Sequence, residues 1–199
     1  MKTRQTMLFK LSIALLCNFF VNFLFYYNVT FAETNISIKE SSNTFVYLGS
    51  FSNMEYTEEH QYGFEVDLWR VGRTLFGHFF HSEGLIGDAP TGLLENIKYF
   101  PETGELSFEA KLTMGIQSVK DHKWVPSRNK YEFLGKIRGE DLTGILTEKD
   151  GLHNDEIIKT LKIKLIRDKE EEKILSDIKT FEEWKNYSNM ILKRRGPKW

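Results

Sequence analysis

From Thr44 to Arg167 the chain reads as short alternations of apolar and polar residues broken by turn residues, with no helical run between them. A period of two sends successive side chains to opposite faces of a strand. Such runs fall at about 44–51, 60–70, 74–82, 92–100, 105–116, 130–138, 141–149 and 157–166, which makes eight strands. Connections this short join antiparallel neighbours, because a parallel pair needs a long crossover.

The turns set the register. Gly139-Glu140 fits a two-residue hairpin loop with glycine first. Pairing Arg138 with Asp141 then sets Ile137 against Leu142, Gly135 against Gly144 and Phe133 against Leu146. Gly72-Arg73 likewise sets Leu68 against Gly77, Val66 against Phe79, Phe64 against His81 and Asp67 against His78. Across the loop 101–104, Leu93, Ile97 and Tyr99 face Leu112, Phe108 and Leu106. The run TLKIKLIR turns Leu161, Ile163 and Leu165 inward. A slip of one residue would exchange the faces, so these pairings decide which side is dry.

Eight consecutive antiparallel strands make a sandwich or a closed barrel. Glycines decide between them. Glycine weakens a strand interior, yet Gly77, Gly135 and Gly144 fall mid-strand on the apolar face. Walls of small barrels bend sharply, and glycine kinks at facing positions allow it. The expected fold is mainly β: an eight-stranded antiparallel up-and-down barrel. Glu65, Asp67, Lys98, Glu109, Lys111, Lys162 and Lys164 fall on the outer face, which is therefore expected to meet water. An integral outer-membrane barrel needs the reverse, a lipid-facing apolar band around a polar interior.

Residues 117–130 form the longest connection, and Trp124 is expected to tuck onto the body of the protein. A C-terminal helix is expected over 180–195. Thr180 with Glu183 is a capping box. Phe181, Trp184, Tyr187, Ser188, Ile191 and Leu192 make its stripe, and Gly196-Pro197 ends it. That stripe is expected to bury itself on the sheet.

The N-terminus differs in kind. Lys2, Arg4 and Lys10 precede an apolar run over 11–25, and Ala32 follows with Thr30 two positions before it. Residues 1–32 therefore read as a signal peptide cut after Ala32, with 33–43 a polar lead-in and 44–199 a single domain. The chain is expected to be periplasmic or secreted. The other reading of the same run is an uncleaved membrane anchor, although it falls short of the ~20 residues a spanning helix needs. Cys17, the only cysteine, lies inside the signal, so the mature chain offers no disulfide or thiol chemistry. Removing the signal's three basic residues from 27 basic and 28 acidic leaves a mature charge of −4. No basic patch with interleaved aromatics points to nucleic acid.

A search for chemistry finds little. His78 and His81 form H-x-x-H, but a spacing of three puts them on opposite faces of a strand, unable to share an ion. Asp67 and His78 pair across the ladder, as an acid–base pair, since a carboxylate beside imidazole raises its pKa, or more simply as a surface pair worth little. No nucleophile elbow, zinc-protease helix motif, phosphate loop or dinucleotide fingerprint occurs. No catalytic residue, metal ligand or cofactor is assigned.

A meander of strands followed by one amphipathic helix resembles the calycin-type barrels, the lipocalins in particular. The repeated Leu-Phe-Gly-His at 75–78, Phe-Leu-Gly-Lys at 133–136 and Leu-Thr-Gly-Ile at 142–145 resembles small exported bacterial β-barrel proteins. Gly49-Ser50-Phe51 stands where the lipocalin pattern has Gly-x-Trp. The resemblance implies a small hydrophobic ligand in the lumen, where Phe64, Phe79, Ile97, Phe108, Phe133 and Leu161 are the candidate contacts. Two readings stay open: a non-enzymatic exported barrel binding an apolar or amphipathic ligand, and an envelope interaction module whose barrel is filled by its own side chains. An enzyme would need convergent polar groups inside the barrel, and on that face His81 alone qualifies.

Overall fold

The computed structural model describes residues 44–87, 89–119 and 122–199. The expected signal peptide, its Cys17 and the polar lead-in lie outside the described residues. The chain forms β1 (Phe45–Ser52), β2 (Glu55–Tyr56), β3 (His60–Val71), β4 (Thr74–Leu85), β5 (Thr91–Phe100) and β6 (Glu105–Leu112). It continues with β7 (Ile116–Val119), β8 (Lys123–Pro126), β9 (Asn129–Arg138), β10 (Asp141–Asp150) and β11 (Glu156–Arg167). Two helices end it, α1 (Lys169–Leu175) and α2 (Phe181–Arg195).

Eight strands close an antiparallel barrel. The ladder runs β11-β10-β9-β6-β5-β4-β3, and β1 pairs with both β11 and β3 to join the ends. The two-residue β2 continues along β3, and β7 with β8 forms a separate ribbon. Both glycine-first hairpins hold the expected register, with Gly135 opposite Gly144 and Leu68 opposite Gly77. Gly139 and Gly72 take φ of 59° and 57°, the left-handed region that such turns require of their first residue.

The mid-strand glycines are answered by Phe133. A Cβ on Gly135 would stand 2.2 Å from the Thr143 carbonyl oxygen and 2.4 Å from Phe133 Cζ, and one on Gly144 would meet Phe133 Cε2 at 2.7 Å. The bare backbones let the two strands coil closely and let the Phe133 ring lie flat on the wall. The room the glycines create is taken by the protein's own side chain.

Two layers of apolar side chains result. One fills the lumen, with Phe51, Val66, Leu68, Phe79, Leu106, Phe108, Leu142 and Leu165 buried together. The other lies outside the barrel, where Trp69 and Phe76 meet Leu175 and Trp184 from the helices. Asp168 caps α1 by accepting from the Glu170 and Glu171 amides, and the Thr180–Glu183 capping box opens α2. Arg167, at the end of β11, stacks over the Phe51 ring at 4.9 Å and donates to the Leu48 carbonyl at 3.0 Å, clasping β1 where the barrel closes.

Three expectations are corrected. Asp67 does not face water: it is fully buried, because α1 and α2 cover the outer side of β1, β3 and β4. Asp67 and His78 are accordingly no surface pair. Leu93 does not face inward. Asn96, at φ 51°, bulges β5 between Glu95 and Lys98, so Leu94 is buried and Leu93 exposed, while Tyr99 still opposes Leu106. Trp124 is not tucked away but stands 67% exposed on the β7–β8 ribbon.

Candidate functional site

The lumen residues come together as a stack of rings. Phe64 lies 6.0 Å from Phe79, Phe79 lies 5.9 Å from Phe108, and Phe108 lies 5.0 Å from Phe133. Ile97 and Leu161 are only partly buried and pack against this cluster. These rings pack on one another and on neighbouring side chains of the barrel, Phe64 on His81 at 4.4 Å and Phe79 on Tyr131 at 5.1 Å. Ile97, Phe108 and Phe133 also border a groove of about 760 Å³ across the outer side of β5, β6, β9 and β10.

One end of the barrel is closed by polar groups. His81 Nδ1 lies 2.8 Å from the Tyr131 hydroxyl, and its Nε2 lies 3.1 Å from Glu83 Oε1. A carboxylate only accepts, so Nε2 carries the proton and Nδ1 accepts from Tyr131. Lys159 bridges Glu83 at 2.8 Å and Glu148 at 3.2 Å, and Asn129 donates to Glu148 at 2.7 Å. Burial holds the His81 pKa below its ordinary value, partly offset by Glu83. His81 therefore has more polar company than the sequence indicated. Both its nitrogens are occupied and its ring is 1% exposed, so it plugs the barrel end and meets no substrate space.

The layer beneath the helices is different. Strands β3 and β4 send Glu65, Asp67, Trp69, Phe76, His78 and Phe80 outward, and α2 lies over them. His78 Nε2 meets Ser188 Oγ at 2.9 Å. Around it are buried polar atoms with no hydrogen-bond partner among the described residues: both Asp67 carboxyl oxygens, His78 Nδ1, the Tyr47 hydroxyl, and the indole nitrogens of Trp69 and Trp184. Buried polar groups are nearly always paired, so such a concentration marks a functional or strained layer.

This layer opens into a cleft of about 430 Å³ between the barrel wall and both helices. Met54, Phe80, Met190 and Ile191 supply apolar lining, and Tyr56 and Tyr187 supply rings. Its charges are Glu65 from β3, Glu171 from α1, and Arg194 and Arg195 from the end of α2.

The acids are strongly perturbed. Burial, reinforced by the charges of Glu171 and Asp168, pushes the Glu65 carboxyl up to about 7. Burial also drives Asp67 well above its ordinary range, with Glu65 adding to the push. Ser50, directly opposite Asp67 in the β1–β3 ladder, offsets part of this without meeting it in hydrogen-bond geometry. Glu171 is raised by burial and by Asp168. His78 is lowered to about 4 by burial, so its ring is neutral at ordinary pH.

Sequence reasoning missed this site because Glu65 and Asp67 alternate with apolar residues as an ordinary wet face does. A signal was present. LFGHFFHS in β4 has no charged residue at its outward positions, and a strand buried on both faces reads that way. Among the described residues no group of three or more His, Cys, Asp or Glu side chains is placed to hold a metal ion, and no helix is long and apolar enough to cross a membrane. No family model, curated protein or solved structure matches the chain.

Proposed function

We propose that this chain is an exported, calycin-like β-barrel protein, periplasmic or secreted, that binds a small amphipathic ligand in the cleft between its outer wall and its helices. The observation that carries this reading is the lining of that cleft. Glu65 and Glu171 stand beside Arg194 and Arg195 against apolar side chains, and none of the four makes an ion pair among the described residues. A concave site with a few charged groups in apolar surroundings is the usual form of a ligand site, and perturbed carboxylates concentrate there. The ring stack in the lumen supports placing the ligand outside it, with the barrel as a rigid platform.

Two measurements test this. Intact-mass analysis of the full chain after expression in a Gram-negative host is expected to give a product beginning at Glu33 in the soluble exported fraction; a full-length product held in the membrane would mean an uncleaved anchor instead. Native mass spectrometry of that product, purified without detergent, is expected to show a bound small molecule that Glu65→Gln loses. An unliganded wild type that also takes up no added amphiphile would end the ligand reading.

A second reading is favoured by the exposed Leu134, Ile116 and Trp124, respectively 69%, 71% and 67% accessible. On it the barrel acts as an envelope interaction module through its outer surface. Crosslinking in an envelope fraction, compared with a Leu134→Ser and Trp124→Ser double variant, checks this: a partner captured equally by both would defeat it.

A further inference from the structure

The charges of the cleft are held apart in a particular way. The carboxylates come from the wall and the first helix, Glu65 on β3 and Glu171 on α1, whereas both guanidiniums come from the last turn of α2. They share one cleft of about 430 Å³, and Arg195 is near enough to ease the burden on Glu65. Yet no carboxylate oxygen in this group comes within ion-pair distance of either guanidinium among the described residues, while many other ion pairs on the molecule are closed. Opposite charges in a partly desolvated site attract strongly. For Glu65, the most deeply buried of the four, standing without a cation in ion-pair reach is costly unless something bridges the gap.

A lone cation would meet the acids but also the two arginines, and a lone anion would meet the reverse. A molecule carrying both charges meets each with its complement. We propose that the cleft binds a zwitterion, its ammonium between Glu65 and Glu171, its anionic group at Arg194 and Arg195, and its apolar body against Phe80 and Met190. Guanidinium suits an anionic oxygen group because it offers a planar fork of donors. Phe80 is 6% exposed and gives the floor, whereas Met190 is 65% exposed and gives a movable wall that adapts to the apolar part. The inference rests on the proposed ligand cleft and names the chemistry of its occupant. An ammonium and an anionic oxygen group held close together occur in free amino acids and in aminophospholipid headgroups, and the test separates these sources.

Isothermal titration of the signal-cleaved chain at pH 7.5 would use four probes: L-leucine, monomeric dihexanoylphosphatidylethanolamine, hexylamine and hexanoate. One of the two zwitterions is expected to bind at least about tenfold more tightly than hexylamine or hexanoate, the scale of one charged hydrogen bond lost. Binding of leucine alone identifies a free amino acid, and binding of the short lipid alone identifies a headgroup. Glu65→Gln and Arg195→Gln are each expected to weaken that zwitterion about tenfold, with melting curves showing that both variants fold. Should Arg195→Gln not fold, the exposed Arg194→Gln takes its place. Hexylamine binding as tightly as either zwitterion, with no loss in the arginine variant, would overturn the zwitterion and leave the amphipathic-ligand reading intact. Wild-type protein that binds none of the four would overturn both.

Discussion

His78 on β4 and Ser188 on α2 meet at 2.9 Å in a contact closed from solvent, and this hydrogen bond fixes the helix to the outer wall of the barrel. His78 Nδ1 has no partner, so Ser188 satisfies the one polar end of the ring that is satisfied. Ser188→Ala leaves the imidazole wholly unpaired and is expected to cost about 1–3 kcal/mol. Trp184, stacked on His78 at 5.6 Å and set edge-on to Phe76 at 4.5 Å, carries more of the docking. Trp184→Ala is expected to cost about 3–5 kcal/mol. Urea unfolding of both variants checks the order. Equal, near-zero losses would mean that the helix does not contribute to the fold.

The acids beneath the helices give stability an unusual pH dependence. Glu65 is raised from an ordinary 4.5 to about 7, so the folded state holds its proton more tightly than the unfolded chain. Its contribution is complete below about pH 4.5 and is lost as pH rises through 7. Asp67 acts in the same direction. His78 works oppositely. With its value lowered from 6.5 to about 4, stability falls as pH drops through that window. Above pH 6.5 the histidine is neutral in both the folded and the unfolded chain, and the carboxylates alone set the pH dependence. The melting temperature is therefore expected to fall between pH 6.5 and 8, and to fall less in Glu65→Gln. A decline of equal size in wild type and variant would refute the assignment.

The paired glycines should not tolerate side chains. In Gly135→Ala the new methyl meets the Thr143 carbonyl oxygen, a backbone atom that cannot swing aside. A loss above about 2 kcal/mol is expected, in the range of core overpacking. Phe133→Leu in the same chain is not expected to restore it, since the ring is only the second obstacle. Thermal melts of the single and double variants decide this, and full rescue by Phe133→Leu would shift the cause from backbone to ring.

Trp124 offers a control. Its indole stands on the ribbon away from both apolar layers, so Trp124→Ser is expected to change stability by less than about 0.5 kcal/mol. A large loss would mean that the ribbon folds back onto the body in solution.

The strand pairings were legible because two-residue turns with glycine first leave one register available, and Gly72-Arg73 and Gly139-Glu140 alone locate four strands. The Leu93 position was not legible. Its inversion depends on Asn96 adopting a left-handed conformation in mid-strand, and nothing in the pattern LLENIKY requires that. The helix α2 was legible down to its capping box, but its stripe carries no label for the wall it covers. The candidate site lay hidden for that reason: the burial of Glu65 and Asp67 is created by helices at least a hundred residues away. Helix α1 carries no comparable signal in the sequence, since Glu170-Glu171-Glu172 is a polar run; in the fold Asp168 caps it and Leu175 anchors it.

The route of the chain orders its assembly in time. Strand β1 pairs with the nearby β3, but its other partner is β11, more than a hundred residues on, and the outward faces of β3 and β4 are covered by α2. Without β11 the barrel is open at one seam, and without the helices that follow it Trp69 and Phe76 lie bare. The seam strand and the covering helix are the last to be made, so neither the closed barrel nor the covered wall exists in a chain that stops short of them.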